Sequence, residues 1–212
     1  MKDILIASFD MEIGGVERSL INMLEQFDYK SYRVDLMLYR HKGDFLRFLP
    51  CKPNLLDEMD EYTIFRKSIG EIVREGKILP AMARIAAKLN AGCADRLKGV
   101  KETGYYQMQL MWKYSLPFLP RLNNKYDAAI SFLWPHYFVA EKVSAEVKIA
   151  WIHTDYSVVG TNTKMDFKMW NKFDHIIAVS EVCKDAFEKR YPGLKGKVTV
   201  IENITAPEFV RK

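Results

Sequence analysis

The sequence is poor in cysteine and histidine. Its three cysteines, Cys51, Cys93 and Cys183, stand far apart. So odd and sparse a set argues against a disulfide framework and against a zinc site, and points to a reducing compartment. The four histidines, at 41, 136, 153 and 175, form no HExxH and no i,i+4 pair, so no metal is expected. No run of about 18 apolar residues is present, so no membrane span is expected. Only Lys2 and Asp3 stand between Met1 and the apolar Ile4-Leu5-Ile6, so no signal peptide is expected. GxGxxG, GK[ST] and GxSxG are all missing, against a dinucleotide fingerprint, a P-loop and a nucleophile elbow. Asp10 and Glu12 do not make a D-x-D pair, and no nucleic-acid recognition motif occurs.

Acid is also scarce in one stretch. Residues 1–65 hold 8 Lys/Arg against 12 Asp/Glu, residues 66–125 hold 12 against 4, and residues 126–212 hold 12 against 11. The middle stretch therefore carries +8, more than the +5 of the whole chain. A solvated helical face and attraction to an anionic surface both fit.

What is present reads as a globular α/β chain. The 212 residues, 49% hydrophobic and 28% charged, suffice for one sizeable core. Short apolar runs predict strands at 3–8, 32–38, 54–59, 126–132, 147–152, 175–179 and 197–201. Periodic segments predict helices at 15–27, 43–49, 135–143, 162–173 and 181–190. Between 63 and 116 two or three helices follow one another, punctuated by Gly76, Gly92 and Gly99. Strand and helix otherwise alternate, so the expected fold is Rossmann-like: a mostly parallel sheet with helices on both faces and an extra helical, basic segment at about 63–116.

In such sheets ligands sit at the carboxyl ends of the strands. Gly14 and Gly15 lie just past the first such end, at the start of the first helix. Missing Cβ atoms allow close approach and unusual backbone angles, and the free amides of a helix start can hold an anion or a hydroxyl. A plain tight turn fits equally. Glu17 suits the positive helix end, and Arg18 faces either solvent or the same mouth. His153 ends an apolar strand, beside Asp155. Trp134 follows another strand, as sugar-stacking wall or as core. Ser180 fits a helix N-cap or a cleft hydroxyl.

Four phrases carry a resemblance. "GGVERSL" (14–20) resembles the Gly-Gly-x-Glu-Arg signature after the first strand of nucleotide-sugar-dependent glycosyltransferases of family 4. "IAWIHTDYS" (149–157), "FDHIIAVSEVCKDAF" (173–187) and "KVTVIENI" (197–204) are similar to later strand ends of that family, in the same order. Glu202, Asn203 and Ile204 depart from its Pro-Asn-Gly segment. The resemblance implies one half of a GT-B fold, the N-terminal acceptor-side domain over 1–212, with the nucleotide-sugar-binding C-terminal domain absent from the chain. It implies transfer of a hexosyl unit, with retention, from a nucleotide-sugar co-substrate to a glycan or lipid-linked acceptor, with no tightly bound cofactor. His153 would take the catalytic position, holding the donor sugar, and Gly14, Gly15, Arg18, Asp155, Ser180 and Trp134 would bind substrate. Such an enzyme would be cytoplasmic and peripheral at the inner face of the membrane. There the basic residues Arg66, Lys67, Arg74, Lys77, Arg84 and Lys88 and the aromatic-rich 105–122 would meet anionic lipid, unless 105–122 packs on the sheet. A non-catalytic carbohydrate- or membrane-binding module is the competing expectation.

Overall fold

The computed structural model describes residues 1–98 and 103–204; side chains at 93–98 and 103 lie outside that description, as does Gly99. The chain runs β1 (Lys2–Ser8), α1 (Gly15–Gln26), β2 (Tyr32–Leu38), a 3-10 turn (Asp44–Phe48), β3 (Asn54–Leu55) and a second 3-10 turn (Asp60–Arg66). It continues with α2 (Ile69–Arg74), α3 (Ile78–Lys98), α4 (Thr103–Ser115), β4 (Lys125–Ser131), α5 (Tyr137–Lys142) and β5 (Ser144–Ile152). α6 (Thr163–Trp170), β6 (His175–Ala178), α7 (Glu181–Arg190), a 3-10 turn (Pro192–Lys197) and β7 (Val198–Val200) complete it.

The strands form one sheet in the order β3-β2-β1-β4-β5-β6-β7. Every neighbouring pair is parallel. Strand alternation sends Leu5 and Ala7 to one core, with α2 to α7, and Ile4 and Ile6 to the other, with α1. α1 buries Leu20, Ile21, Met23 and Leu24 there, each worth about 1.5–3 kcal/mol of burial. Local caps fix helix starts. Asn162 accepts from the Met165 amide (3.1 Å) and Ser180 from the Cys183 amide (3.2 Å). Ser68 and Glu71 make a capping box for α2.

Two expectations are corrected here. The strand at 54–59 shrinks to an exposed two-residue edge, paired to β2 only at Asn54 and Leu55, and beyond it the Glu58 carboxylate accepts the His41 amide at 2.5 Å. The 3-10 turn at 192–197 was not expected between α7 and β7.

The extra segment is built into the second core. Phe65 stacks on Trp112 at 4.0 Å and 7°, and the Tyr62 hydroxyl donates to the Pro120 carbonyl at 2.7 Å. Leu110, Met111, Trp112 and Leu119 are buried, so 105–122 packs on the sheet, and of its large apolar side chains Phe118 is the one most exposed. α3 is inverted relative to an ordinary surface helix. Its alanines Ala81, Ala83, Ala87 and Ala91 face inward, while Ile78, Met82, Ile85 and Leu89 are 64%, 60%, 44% and 66% exposed. Their spacing places those four side chains on one outward stripe.

The basic residues of this segment are largely spoken for. Lys67 and Lys77 pair with Asp60 and Glu75. Arg84 donates to the Ile64 carbonyl at 2.9 Å, and Arg66 reaches Asp10. Arg74 and Lys88 have no carboxylate partner among the described residues. The +8 of the sequence is therefore a weaker surface field than its count implies.

Candidate functional site

Strand order reverses between β1 and β4, and in open parallel sheets the carboxyl edge at such a switch point is where ligands bind. The loop after β1 brings Asp10, Gly14 and Gly15 there, with Arg18 in the first turn of α1. Trp134 arrives after β4, His153 and Asp155 after β5, and Ser180 after β6. Adjacent strands lie about 4.8 Å apart. The sequence-predicted residues thus share one edge, with Ser180 about 14 Å along it from β1.

The loop after β1 is stitched to the loop after β2. Arg40 donates its amide to the Phe9 carbonyl (3.0 Å), Met11 to Lys42 (2.8 Å) and Phe45 to Met11 (2.9 Å). The contact depends on Gly43, whose φ is +115°; a Cβ there would stand 2.1 Å from the Met11 carbonyl carbon and oxygen. Gly43, unnoticed in the sequence, is the glycine that the fold requires.

Gly14 and Gly15 behave otherwise. Gly14 is extended, at φ −166° and ψ 166°, and Gly15 is the first helical residue. The expected unusual backbone angles are absent. A Cβ on Gly14 would meet only the movable Glu17 carboxylate, at 2.2 Å, and one on Gly15 would meet no atom within 4 Å. Gly15 is exposed. An open backbone at a helix start is therefore offered to the carboxyl edge, and the protein's own packing does not explain it.

Asp10, set aside in the sequence as half of an incomplete D-x-D, is buried to 2% exposure in this loop. Its Oδ2 lies 3.4 Å from Arg66 Nε, and its Oδ1 has no hydrogen-bond partner among the described residues. The Arg66 guanidinium, from the extra segment, covers the Phe9 ring at 4.8 Å. Burial raises the Glu17 carboxyl; its own backbone amide and Arg66 oppose this, while Asp10 and Glu12 add to it.

His153 packs on Phe132 at 4.7 Å, and its Nε2 has no partner among the described residues. Burial pushes it down to about 4, opposed by a hydrogen bond to the Phe132 backbone. Behind it His136 is fully buried, with Nδ1 2.8 Å from Ser131 Oγ and the ring 4.7 Å from Trp170. Burial, and then the neighbouring His153, lower His136 to about 3. Both rings are neutral at pH 7. His153 is thus a poor proton reservoir, and its unpartnered Nε2 is buried rather than open to the strand edge. Trp134 is half-buried against Tyr105 (5.3 Å), with an indole N–H lacking a partner among the described residues.

Three predicted residues have local duties. Exposed Asp155 accepts the Ser157 amide at 2.8 Å, and that bond holds its carboxyl below the usual range. Ser180 caps α7. The Arg18 amide donates to the Gly14 carbonyl at 3.2 Å. At the end of the described chain, buried Ser19 donates to the Asn203 side chain (2.6 Å) and Asn22 to the Ile204 carbonyl (2.8 Å). The segment after β7 is therefore tied to the helix that begins at Gly15. Among the described residues, no group of three or more His, Cys, Asp or Glu is placed to hold a metal ion, and no helix is long and apolar enough to cross a membrane.

Sheet order, parallel strands and the site edge define one Rossmann-like half of a GT-B fold. No family model and no curated protein matches the chain. Solved structures do. Anabaena Alr3699/HepE in complex with UDP and glucose matches with a TM-score of 0.50 at 15% identity, over 98% of this chain and 48% of that one. The same protein in complex with UDP-glucose gives 0.49 at 14% identity, and with UDP 0.45 at 14%, each over 98% of this chain and 47% of that one. The chain spans about half the length of these structures, and at this identity the likeness is one of fold.

Proposed function

We propose that this chain is the acceptor-side half of a nucleotide-sugar-dependent glycosyltransferase of the family 4 type. The whole protein would move a hexosyl unit, with retention, from a nucleotide-sugar to a hydroxyl of a glycan or lipid-linked acceptor. The observation that carries the reading is the gathering of Gly14, Gly15, Trp134, His153 and Ser180 at the switch-point edge. The GT-B likeness to a structure holding UDP and glucose supports it. His153, at the end of β5, would help position the donor sugar rather than act as a base, in keeping with its depressed basicity. A second domain, beyond this chain, would bind the diphosphate, and closure of the cleft would exclude water.

The test is turnover by the full-length protein, with UDP-, GDP- and CMP-sugars offered alongside glycan and lipid acceptors. Acceptor-dependent nucleotide release that falls at least tenfold in His153→Ala is the expected outcome. A folded protein that releases nucleotide with no donor in the panel contradicts the reading.

A second reading, contact with a cytoplasmic membrane surface, is favoured by the outward stripe Ile78, Met82, Ile85 and Leu89. Arg74 and Lys88 flank it, and α3 carries no acid between 78 and 92. The stripe would serve either the enzyme or a non-catalytic binding module.

A further inference from the structure

Away from the carboxyl edge, a cavity of about 430 Å³ lies between α6 and the turn that ends α7. Thr163, Lys164, Phe167 and Lys168 form one wall, and Arg190, Tyr191, Pro192 and Gly193 form the other. α7 has 10 residues and starts at the Ser180 cap. At about 1.5 Å per residue, the cavity stands about 15 Å from the edge that carries the candidate site.

Its walls combine apolar surface with charge of one sign. On α6, Lys164, Phe167 and Lys168 share the outward face, because Asp166, Met169 and Trp170 turn inward. Phe167 is thus an exposed aromatic ring between two lysines. The opposite turn closes on it: a Cβ on Gly193 would stand 3.2 Å from a Phe167 ring carbon. Every charged residue of the lining is a cation. Lys164 and Lys168 have no carboxylate partner among the described residues. Arg190 adds its charge but is held in place, donating to the Tyr156 and Thr161 carbonyls at 3.2 Å.

The carboxylates of the surrounding segments are engaged elsewhere. Buried Asp166 accepts from Gln109, Thr161 and Tyr191. Glu188 faces Lys195 at 3.8 Å, Glu181 faces Lys184 at 3.3 Å, and Asp155 accepts the Ser157 amide. Asp185 lies outside the lining. An inorganic anion here would leave the apolar wall bare, and a neutral apolar molecule would leave both lysines unanswered. Small-molecule sites are concave, mostly apolar and carry a few polar groups that fix orientation.

We propose that this cavity is a second binding site, for a small soluble molecule with an apolar body and one acidic head. The body lies on Phe167, Tyr191 and Pro192, and the head meets Lys164 and Lys168. Arg190 also anchors the loop that follows His153 and Asp155, so the site adjoins the catalytic half of the fold through one side chain. The proposal is independent of the glycosyltransferase reading.

The test is amide NMR of the 15N-labelled chain, titrated with phenylbutyrate, octanoate and phenyl phosphate. Neutral phenylbutyramide and inorganic phosphate are the controls. At least one of the three acids should shift the Lys168 and Gly193 amides saturably, and both controls should bind at least tenfold more weakly. Lys164→Gln combined with Lys168→Gln should weaken that acid about tenfold, the effect of two partly exposed charge pairs together. Phe167→Ala should weaken it by about the same factor through lost apolar contact. All three side chains are exposed, so the spectrum away from the cavity should stay unchanged. Calorimetry of the full-length protein with the same acid should return the same affinity. No saturable shift with any acid, or equal binding of the neutral amide, would overturn the proposal. So would binding to the chain that the full-length protein loses, which would mean that the protein's own second half fills the cavity. Shifts at these amides with phosphatidylglycerol vesicles but with none of the free acids would make the face a lipid contact and overturn it as well.

Discussion

Replacing Gly43 and Gly15 by alanine separates a glycine needed by the fold from one left open to a ligand. At Gly43, φ of +115° and ψ of 152° form a region nearly closed to other residues, and occupying it costs about 2 kcal/mol. The new Cβ also lies 2.1 Å from the Met11 carbonyl carbon. To reach an ordinary contact of about 3.5 Å, the Met11 loop must retreat by more than an ångström. That movement breaks the bonds from Met11 to Lys42 (2.8 Å) and from Phe45 to Met11 (2.9 Å), each worth about 1 kcal/mol. The expected loss for Gly43→Ala is about 4 kcal/mol, or about 8–16 °C in Tm. Gly15→Ala meets no atom within 4 Å and should leave stability unchanged or raise it by up to about 1 kcal/mol. Urea unfolding followed by circular dichroism measures both. A Gly43→Ala chain within 1 kcal/mol of wild type, by the scale above, would refute the stitched loop; a Gly15→Ala chain as damaged as Gly43→Ala would refute the open backbone.

Acid should destabilise the chain through buried His136 and half-buried His153. An unfolded histidine takes up a proton below about 6.5, whereas His153 resists to about 4 and His136 to about 3. The unfolded state binds more protons across that window, so stability falls as pH falls, by about 1.4 kcal/mol per pH unit per histidine. Glu17 and Asp166, both raised, act with the opposite sign, and they cancel when wild type is compared with His136→Gln. The variant's stability curve should be flatter between pH 4 and 6; parallel curves would remove His136 as a neutral core group. Asp166→Ala should cost about 3–5 kcal/mol in urea. Buried Asp166 accepts from Gln109 (2.7 Å), Tyr191 (2.9 Å) and Thr161, joining α4 to α6 and the end of α7; a loss under 1 kcal/mol, that of one ordinary hydrogen bond, would contradict this. Met82→Glu should leave Tm unchanged, since the side chain is 60% exposed, yet abolish co-sedimentation with phosphatidylglycerol-containing vesicles. Equal sedimentation of both proteins would free the α3 stripe from a lipid role.

Much of the scaffold was legible because helix and strand periods differ and because caps are local. Ser180 read as an N-cap and is one, and the strand ending at His153 lies where its apolar run put it. The site was legible as a set of positions along one edge, since a parallel α/β sheet sends every strand end there. What escaped was set by contacts distant in sequence. Gly43 is indispensable because its φ is +115° and because the Met11 backbone packs against it. Asp10 looked like half of a failed D-x-D until burial beside Arg66, 56 positions later, gave it a role. The periodicity between 63 and 116 marked helices, yet periodicity does not say whether an apolar face turns in or out. The small alanines opposite decided it, because they let α3 pack closely. Counting cations likewise overstated the basic face, since ion pairing depends on which carboxylates fold back.

The most direct measurement of the acceptor-side account is steady-state kinetics of the full-length Gly15→Val protein, with the donor and acceptor that the turnover screen identifies. A Cβ here meets no atom within 4 Å, and a valine side chain would fill the space left open at the helix start. Unchanged Tm and a transfer rate lowered at least tenfold are the predicted result. Transfer at the wild-type rate would leave Gly14–Gly15 a plain turn and contradict the account.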